Sequence, residues 1–335
     1  MNHAYRLNSK PGAWLVSLSI AVAFFAGCGG GGGADSGNAA SGAQVQPGDG
    51  SGDVPSPGSF VADAGAPQPT GVLATDGYNW FNFRRQQMGL AAVARNALLD
   101  QAAQAHSNYQ ALNNTITHGE VQTNRGFTGA AVYDRMSASQ YSFPVTSFAY
   151  GEIIIATGDS DGFQAAEDLI TAIYHRFVLF EPKFLEAGAG AATGSRRLTY
   201  FTTDFASRVL DQGGLGRGRL VTYPYANQQN LPTVFFSDRE QPDPVPDRNE
   251  VGYPVSVHAD VTSTIQVQSF TISLRGGAPL TSKLLTHEND SEIGHPSVAA
   301  IIPLTALQPQ SFYDVQFVGS VDDVQVNLSW SFRTR

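Results

Sequence analysis

His175 and Arg176 are the side chains that first raise the question of chemistry in this chain. They lie in AIYHRFVLFEPKFLEAGAGA, residues 172–191, where an apolar run typical of a helix end passes into Gly and Ala. His175 is either a packed helix-end residue that the helix dipole favours, or one of several ionisable groups that converge on a site. Arg176 and Glu181 are expected to pair near the helix end, as a structural contact.

The sequence shows no obvious nucleophile with an adjacent base. Ser107 follows His106 in AQAHSNY, but neighbours on a helix point about 100° apart and do not form a triad. H-E-x-x-H does not occur in the chain, and GDSDG, residues 158–162, is not predicted to form the nucleophile elbow of a G-x-S-x-G motif. GGLGRG, residues 213–218, lacks the Lys-Ser/Thr ending of a phosphate loop, and we interpret it as a flexible turn. We expect His106 to be a satisfied packing residue of its helix.

The N-terminus has the features of an export signal. Arg6 and Lys10 supply a positive region, and the apolar residues 14–27 are fewer than the ~20 that a transmembrane helix needs. FAGC ends at Cys28, the only cysteine of the chain, and resembles a bacterial lipobox. We therefore expect residues 1–27 to be a lipoprotein signal peptide and Cys28 to carry diacylglycerol, in preference to a secretory peptide with a stray thiol.

Residues 28–71 form a low-complexity segment rich in Gly, Ser, Pro and Ala. Because it has few apolar side chains to bury, it is expected to be a flexible tether. The formal net charge of −9 argues against nucleic acid as a partner. Gly29 follows Cys28 where an Asp would retain the protein in the inner membrane. The sequence therefore predicts an exported, membrane-anchored lipoprotein of the outer membrane or cell surface.

The elements that must position His175 begin with three predicted helices. Apolar residues at helical spacing predict two of them over residues 76–114, separated near Gly89. Asn96 is a good N-cap for the second helix. A third helix is predicted over residues 126–136, with Thr128 as its cap.

The rest of this first domain mixes strands and a further helix. FAYGEIIIATG, residues 148–158, is typical of a strand, and residues 161–179 are predicted as one helix on which Glu167 is a solvated charge. A β-hairpin follows, with Gly194 and Ser195 in its turn. Helices beside a small antiparallel sheet make the domain, residues 72–225 of the chain, α+β.

Five short motifs occur in this domain in a fixed order. They are N-x-x-R…G-L, A-Q-A-H-S-N-Y…T-H-G-E, Y-G-E-I-I, Y-H-R-F…G-A-G and T-Y-F-T-T-D-F-A. Their order resembles the CAP superfamily, the SCP-like extracellular domains, over residues 76–206. The resemblance implies an α-β-α sandwich with a cavity that carries two His and two Glu and can bind a divalent metal. It also implies that the Gly/Ala run after His175 is the central strand, packed closely beneath the helices.

The resemblance assigns the cavity residues one by one. His118, in ITHGE, and His175 match the two cavity histidines. Glu152, in YGEII, matches the first cavity carboxylate, with Ile153 where the family has Asn. Ala172 stands where the second carboxylate is expected, one helical turn before the last His.

These departures leave two imidazoles and one carboxylate with an open position. Such a set suits Zn²⁺ or another divalent cation and is typical of catalytic rather than structural zinc sites. Bound zinc would lower the pKa of its water towards ~7. Glu120 would restore the missing carboxylate, because residues i and i+2 of an extended segment face the same way.

Residues 230–335 form the predicted second domain. After a proline-rich segment, runs of alternating apolar and polar residues are separated by Gly, Pro, Asn and Asp, a pattern typical of an antiparallel β-sandwich. The ending resembles bacterial Ig-like domains, with Tyr313 and Trp330 as core residues. The predicted architecture is therefore α+β, a CAP-like α-β-α sandwich followed by an all-β Ig-like sandwich.

These inferences favour a binding or interaction protein of the cell envelope over an enzyme. The resemblance implies a cleft for a lipid or for an extracellular protein or glycan. One alternative is a metal-assisted, peptidase-like hydrolase, in which Glu120 is the only candidate for a general base beside the metal-bound water. The other is an envelope scaffold that acts through the Ig-like domain. Fold resemblance alone does not decide between them.

Overall fold

The computed structural model describes residues 65–144 and 147–335, together with the backbone of two short strands near the N-terminus. The predicted lipidation of Cys28 and the tether fall outside the described residues and stay predictions. The signal peptide also stays a prediction, because those two strands are the only part of residues 1–27 that the structure describes. No helix in the described part of the chain is both long and apolar enough to span a membrane.

Helices and strands alternate in the first part of the chain, and strands dominate the second. The α-helices of the described residues are α1 (Leu73–Gln87), α2 (Ala97–Asn113), α3 (Val132–Ala138), α4 (Gly162–Thr171) and α5 (Ile173–Leu179). The strands associated with them are β1 (Ala4–Asn8), β2 (Val16–Ser17), β3 (Ala94–Arg95), β4 (Phe148–Thr157), β5 (Glu186–Thr193) and β6 (Thr199–Ser207). The C-terminal strands are β7 (Val221–Tyr223), β8 (Val234–Phe236), β9 (Glu250–Gly252), β10 (Val255–His258), β11 (Ile265–Leu274), β12 (Ser282–Thr286), β13 (Val298–Pro303), β14 (Phe312–Val321) and β15 (Val324–Arg333).

The first sheet has the strand order β2-β1-β4-β6-β5-β3, with helices on both faces. Strands β4, β6 and β5 form long antiparallel ladders in which Glu152 lies opposite Asp204. On one face, Gly188 of β5 approaches α2 so closely that a Cβ would lie 2.1 Å from its backbone. On the other face, Phe81 of α1 stacks on Phe201 of β6. The mixed α+β architecture of this part is therefore as predicted, and β5 packs against a helix, between β6 and β3.

Two of the predicted helix signals are confirmed and one is wrong. Gly89, with φ +89°, follows the end of α1, and the side chain of Asn96 caps α2 by accepting bonds from two backbone N–H groups. The third helix begins later than predicted, with Ala131 as its N-cap residue. Thr128 does not cap it, because its backbone N–H and hydroxyl donate to Glu120 instead.

The single helix predicted over residues 161–179 is wrong, because the chain breaks at Ala172. This residue has extended dihedral angles (φ −68°, ψ 119°) and separates α4 from α5. The carboxylate of Glu240 stabilises the break by accepting bonds from the backbone N–H of Ile173 (2.7 Å) and Tyr174 (2.8 Å). The cap thus comes from a distant segment, which a local pattern cannot reveal.

Glu167 was expected to be solvated and Arg176 to pair with Glu181, and neither expectation is met. Glu167 accepts bonds from Trp80 Nε1 and Arg84 Nε of α1, so it links α4 to α1 and is not a solvated charge. The expected pairing of Arg176 with Glu181 is also wrong. Arg176 is fully buried and donates to backbone carbonyls, while Glu181 accepts from other backbone N–H groups.

The C-terminal strands form separate antiparallel sheets, which is consistent with an all-β part. Their orders are β12-β13-β10-β7 and β11-β14-β15, and β8 pairs with β9. Tyr313 and Trp330 are buried, as predicted. β7 pairs with β10, so this strand, which the sequence placed in the first domain, is part of a C-terminal sheet. An Ig-like topology stays a prediction.

Helix α5 packs directly on the C-terminal sheets, within the compact unit that includes Ala66–Arg335. Its apolar side chains share one buried cluster with C-terminal residues: Ile173, Tyr174, Phe177, Phe235, Val245, Val251, Leu285, Ile293, Val298, Ala300 and Ile302. Arg176 donates to the carbonyl of Pro254 (2.7 Å) and lies over the rings of Tyr223 and Tyr253. The two parts of the chain are therefore joined by a core, at the helix that carries His175.

Candidate functional site

Each of the two predicted cavity histidines lies beside a buried carboxylate. His118 Nδ1 lies 2.7 Å from Glu152 Oε1, and His175 Nδ1 lies 3.1 Å from Glu240 Oε1. All four side chains are buried. The sequence predicted His118 and Glu152 as neighbours, whereas His175 has a partner that the sequence did not suggest.

Glu152 is held from two sides. It lies on β4, and its second oxygen, Oε2, accepts a bond from Arg135 Nη2 of α3 (2.6 Å). The other terminal nitrogen of Arg135, Nη1, donates to the backbone carbonyl of His118 (2.8 Å). Arg135 thus fastens the loop of His118 to the strand of Glu152, and Asp204 lies across from Glu152 on β6.

The buried ionisable groups around Glu152 have pKa values that are shifted in different directions. Burial alone would raise the pKa of Glu152, but Arg135, His106 and His118 outweigh it, so the pKa lies below its usual range. Burial and the charge of Glu152 raise the pKa of Asp204 well above its usual value. Burial lowers the pKa of His118, although the bond to Glu152 opposes this. The cluster therefore pairs the ionised carboxylate of Glu152 with the guanidinium of Arg135, beside a His118 imidazole that is neutral at pH 7.

Glu120 belongs to the loop before α3. It accepts bonds from the backbone N–H of Thr128 (2.6 Å) and Gly129 (3.3 Å), and its Oε1 lies 2.9 Å from His106 Nδ1. The Nε2 atom of His106 lies 2.7 Å from the carbonyl of Thr117. The expectation that His106 is a satisfied packing residue is confirmed. Glu120 is engaged in closing this loop.

Glu240 is the residue of the site that lies outside the predicted first domain. It follows a 3₁₀ turn, Ser237–Arg239, and its side chain is fully buried. Besides His175 Nδ1, its carboxylate accepts bonds from the first backbone N–H groups of α5, a position that favours an anion.

Arg135, Asp204 and Glu240 were missed because their local sequences give at most a weak signal. The only available signal was a charged residue in a context that predicts burial. Arg135 lies among the apolar positions of a short helix, and Asp204 lies in TYFTTDFA, an otherwise uncharged strand. Glu240 is 65 residues from His175 and lies in a proline-rich segment, so it gave no such signal.

The two histidines fit a metal more closely than the carboxylates do. Metal-bound histidines usually donate their second ring N–H to a carboxylate, so an ion here would be bound through the Nε2 atoms of His118 and His175. Glu152 and Glu240 would then orient the rings rather than coordinate the ion. Across residues 65–144 and 147–335, no three His, Cys, Asp or Glu side chains are grouped to hold one ion. The predicted metal and its ligand set of His118, Glu152, His175 and Glu120 stay predictions.

Comparison with known proteins identifies the first part of the chain. Residues 78–205 match the sequence model of the CAP family, described as the cysteine-rich secretory protein family. The match begins in α1 and ends in β6, and it includes His118, Glu152 and His175 but not Glu240. Residues 78–205 therefore form a CAP domain, as the motif order indicated.

Two solved structures are similar to part of this chain. An extracellular protein containing an SCP domain from Bacillus anthracis is 22% identical over 40% of this chain, with a TM-score of 0.33; the alignment covers 39% of the Bacillus chain. An outer surface protein from Borrelia burgdorferi is 17% identical over 39% of this chain and 89% of its own, with a TM-score of 0.33. Likeness at this level identifies neither a ligand nor an activity. No curated protein matches the chain.

Proposed function

We propose that this chain is an exported protein of the cell envelope whose CAP domain is a binding module, with His118 and His175 at its ligand site. The observation that carries the proposal is the carboxylate at Nδ1 of each buried histidine. Imidazoles anchored in this way are oriented to bind through Nε2. The match of residues 78–205 to a secretory family supports export.

The proposed ligand of the two histidines is a divalent cation, Zn²⁺ in the first instance. His175 is among the groups that lower the pKa of His118, so the two rings are close enough to interact. His118 and His175 would hold the ion, and Arg135 would keep Glu152 ionised. The ion would supply positive charge and an open coordination position for an extracellular or lipid ligand.

The membrane anchor belongs to the same proposal. The apolar stretch that ends in FAGC supports cleavage before Cys28 and attachment of diacylglycerol. Residues 28–71 would then hold the folded part away from an outer-membrane or cell-surface anchor. The C-terminal β-rich part, in the Ig-like interpretation, would be a second interaction module.

Binding is favoured over the two alternatives. In the hydrolase alternative Glu120 is the general base, but its carboxylate already accepts bonds from Thr128 and Gly129 and contacts His106. The scaffold alternative treats the C-terminal part as the acting domain, with the CAP domain as a bystander. The buried contact of Glu240 with His175 joins the two parts at the proposed site and favours a shared role.

Zinc titration of the purified full chain by calorimetry tests the proposal. We expect micromolar binding by the parent chain, lost in His118→Ala and in His175→Ala because each removes one of the two ligands. His287→Ala is the matched control, since His287 is an exposed histidine of the C-terminal part. Binding that survives in both cavity variants, or no binding by a folded parent chain, would contradict the metal proposal.

A further inference from the structure

We infer that the C-terminal part of the chain completes the CAP-domain site, with Glu240 as the positioning residue of His175. The inference rests on the proposed role of His175 in binding, and it names the group that sets the orientation of that ring. A CAP domain of residues 78–205 would contain His175 but not the carboxylate that holds it.

The carboxylate of Glu240 contacts residues 173–175, at the start of α5. Its Oε2 accepts from the backbone N–H of Ile173 (2.7 Å). Its Oε1 accepts from the backbone N–H of Tyr174 (2.8 Å) and His175 (3.3 Å) and lies 3.1 Å from His175 Nδ1. Glu240 is 0% exposed, so these contacts are made without competition from solvent.

The bond to the ring distinguishes positioning from capping. A cap needs only the backbone N–H groups of the helix start. The additional bond to Nδ1 places a proton on that atom and leaves Nε2 as the acceptor, which is the tautomer able to bind a cation. Glu240 therefore selects both the orientation and the tautomer of His175.

Hydrogen bonds within the C-terminal part anchor the turn that carries Glu240. The Ser237 hydroxyl donates to the carbonyl of Arg248 (2.6 Å), and the Ser237 backbone N–H donates to the carbonyl of Asn249 (2.9 Å). The backbone N–H of Glu240 closes the turn onto the carbonyl of Ser237. These bonds fix the turn to the β8–β9 ladder, so the carboxylate is preorganised by residues outside the CAP match.

The helix start has no carboxylate of its own. Ala172 is the N-cap residue of α5, and its side chain makes no capping hydrogen bond. Glu240 brings the carboxylate to this helix start across a separation of 65 residues. The site is therefore shared between the two parts of the chain.

The tautomer of His175 in the metal-free full chain is the decisive measurement. Long-range ¹⁵N–¹H correlation spectra, assigned with His175→Ala, should show an Nδ1–H tautomer in the parent chain. Glu240→Ala should shift the ring towards the Nε2–H form, and Glu240→Gln, which keeps one acceptor oxygen, should lie between them. An unchanged His175 signal in folded Glu240→Ala, or in Glu240→Gln if the alanine variant does not fold, would overturn the inference.

Asp290→Asn is the matched control for general loosening of the contact. Asp290 lies in the C-terminal part of the chain, and its side-chain carboxylate accepts a bond from Tyr174 OH (2.6 Å), one residue before His175. We expect this variant to leave the His175 tautomer unchanged; a shift as large as that of Glu240→Ala would also overturn the inference. In zinc titrations we expect Glu240→Ala to weaken affinity by about tenfold. If the parent binds no zinc, the proposed function fails while the tautomer result still decides the role of Glu240.

Discussion

Among single residues, Glu152 is the centre of the buried polar cluster. Its two oxygens lie 2.7 Å from His118 Nδ1 and 2.6 Å from Arg135 Nη2, and it is fully buried. An ionised carboxylate is tolerated in such surroundings only when its charge is matched and its oxygens are bonded. Arg135 supplies the matching charge, which makes it as important to the cluster as the residues that the motifs identified.

We expect Arg135→Met to destabilise the folded chain by about 3–5 kcal/mol, because it leaves the buried charge of Glu152 without its partner. Urea unfolding followed by circular dichroism measures this loss. Arg208→Met is the control, since Arg208 forms a partly exposed pair with Glu186 and pairs near the surface contribute about 0–1 kcal/mol. Equal small losses in both variants would show that Arg135 is not the counterion on which Glu152 depends.

Among the secondary-structure elements, β5 and α2 approach each other so closely that only glycine fits at two positions of the strand. A Cβ at Gly188 would lie 2.1 Å from backbone atoms of Leu99 and Asp100, and one at Gly190 would lie 2.3 Å from Gln104. The Gly/Ala composition of β5 is therefore required by the approach of a helix backbone rather than by a turn. This is the close packing beneath a helix that the sequence predicted for the run after His175.

We expect Gly188→Ala to lower stability by about 1–3 kcal/mol, because the new methyl group must push α2 away from the sheet. Gly158→Ala is the matched control, since a Cβ there meets no atom within 4 Å and should change stability by less than about 0.5 kcal/mol. Thermal unfolding of both variants measures the difference. A Gly188→Ala chain as stable as the control would mean that α2 can move without cost.

Elements were predictable where their signals are local. The end of α1 near Gly89 and the cap of α2 at Asn96 depend on neighbouring residues, and both were predicted. The break at Ala172 depends on Glu240, and the start of α3 shifts because Thr128 bonds Glu120. The same division holds in the site: His118 and Glu152 follow from motif order, but the partner of His175 does not.

In the molecule as a whole, the two parts of the chain depend on each other. Removing residues 230–335 would take away Glu240 and most of the apolar cluster around α5. Such a truncation cannot separate a role of the C-terminal part from a role of the CAP domain, because it would disturb both. Point substitutions at the contact between the two parts change one interaction at a time and can therefore separate the two roles.

His258 gives this contact a dependence on pH. It lies on β10, fully buried, with its ring against Phe177 and Phe180 and its Nε2 atom 2.9 Å from Ser256 Oγ. Burial lowers the pKa of His258 well below its usual value, and the charges of Arg176 and Arg85 lower it further. The folded chain therefore keeps this imidazole neutral at a pH where the unfolded chain protonates it.

We expect the free energy of unfolding to fall as the pH drops below about 6.5, because His258 then binds a proton in the unfolded state and stays neutral in the folded state. The contribution of this one residue approaches ~1.4 kcal/mol per pH unit. His258→Gln, which keeps a hydrogen-bonding side chain beside Ser256 but does not titrate, should reduce the slope of stability against pH by that amount between pH 6 and pH 5. His118 and His295, whose pKa values burial also lowers, contribute to the slope of both chains and cancel in the difference. Identical slopes for the parent and His258→Gln would show that His258 is protonated in the folded state, and that the contact between α5 and the C-terminal sheet opens to solvent more readily than its burial indicates.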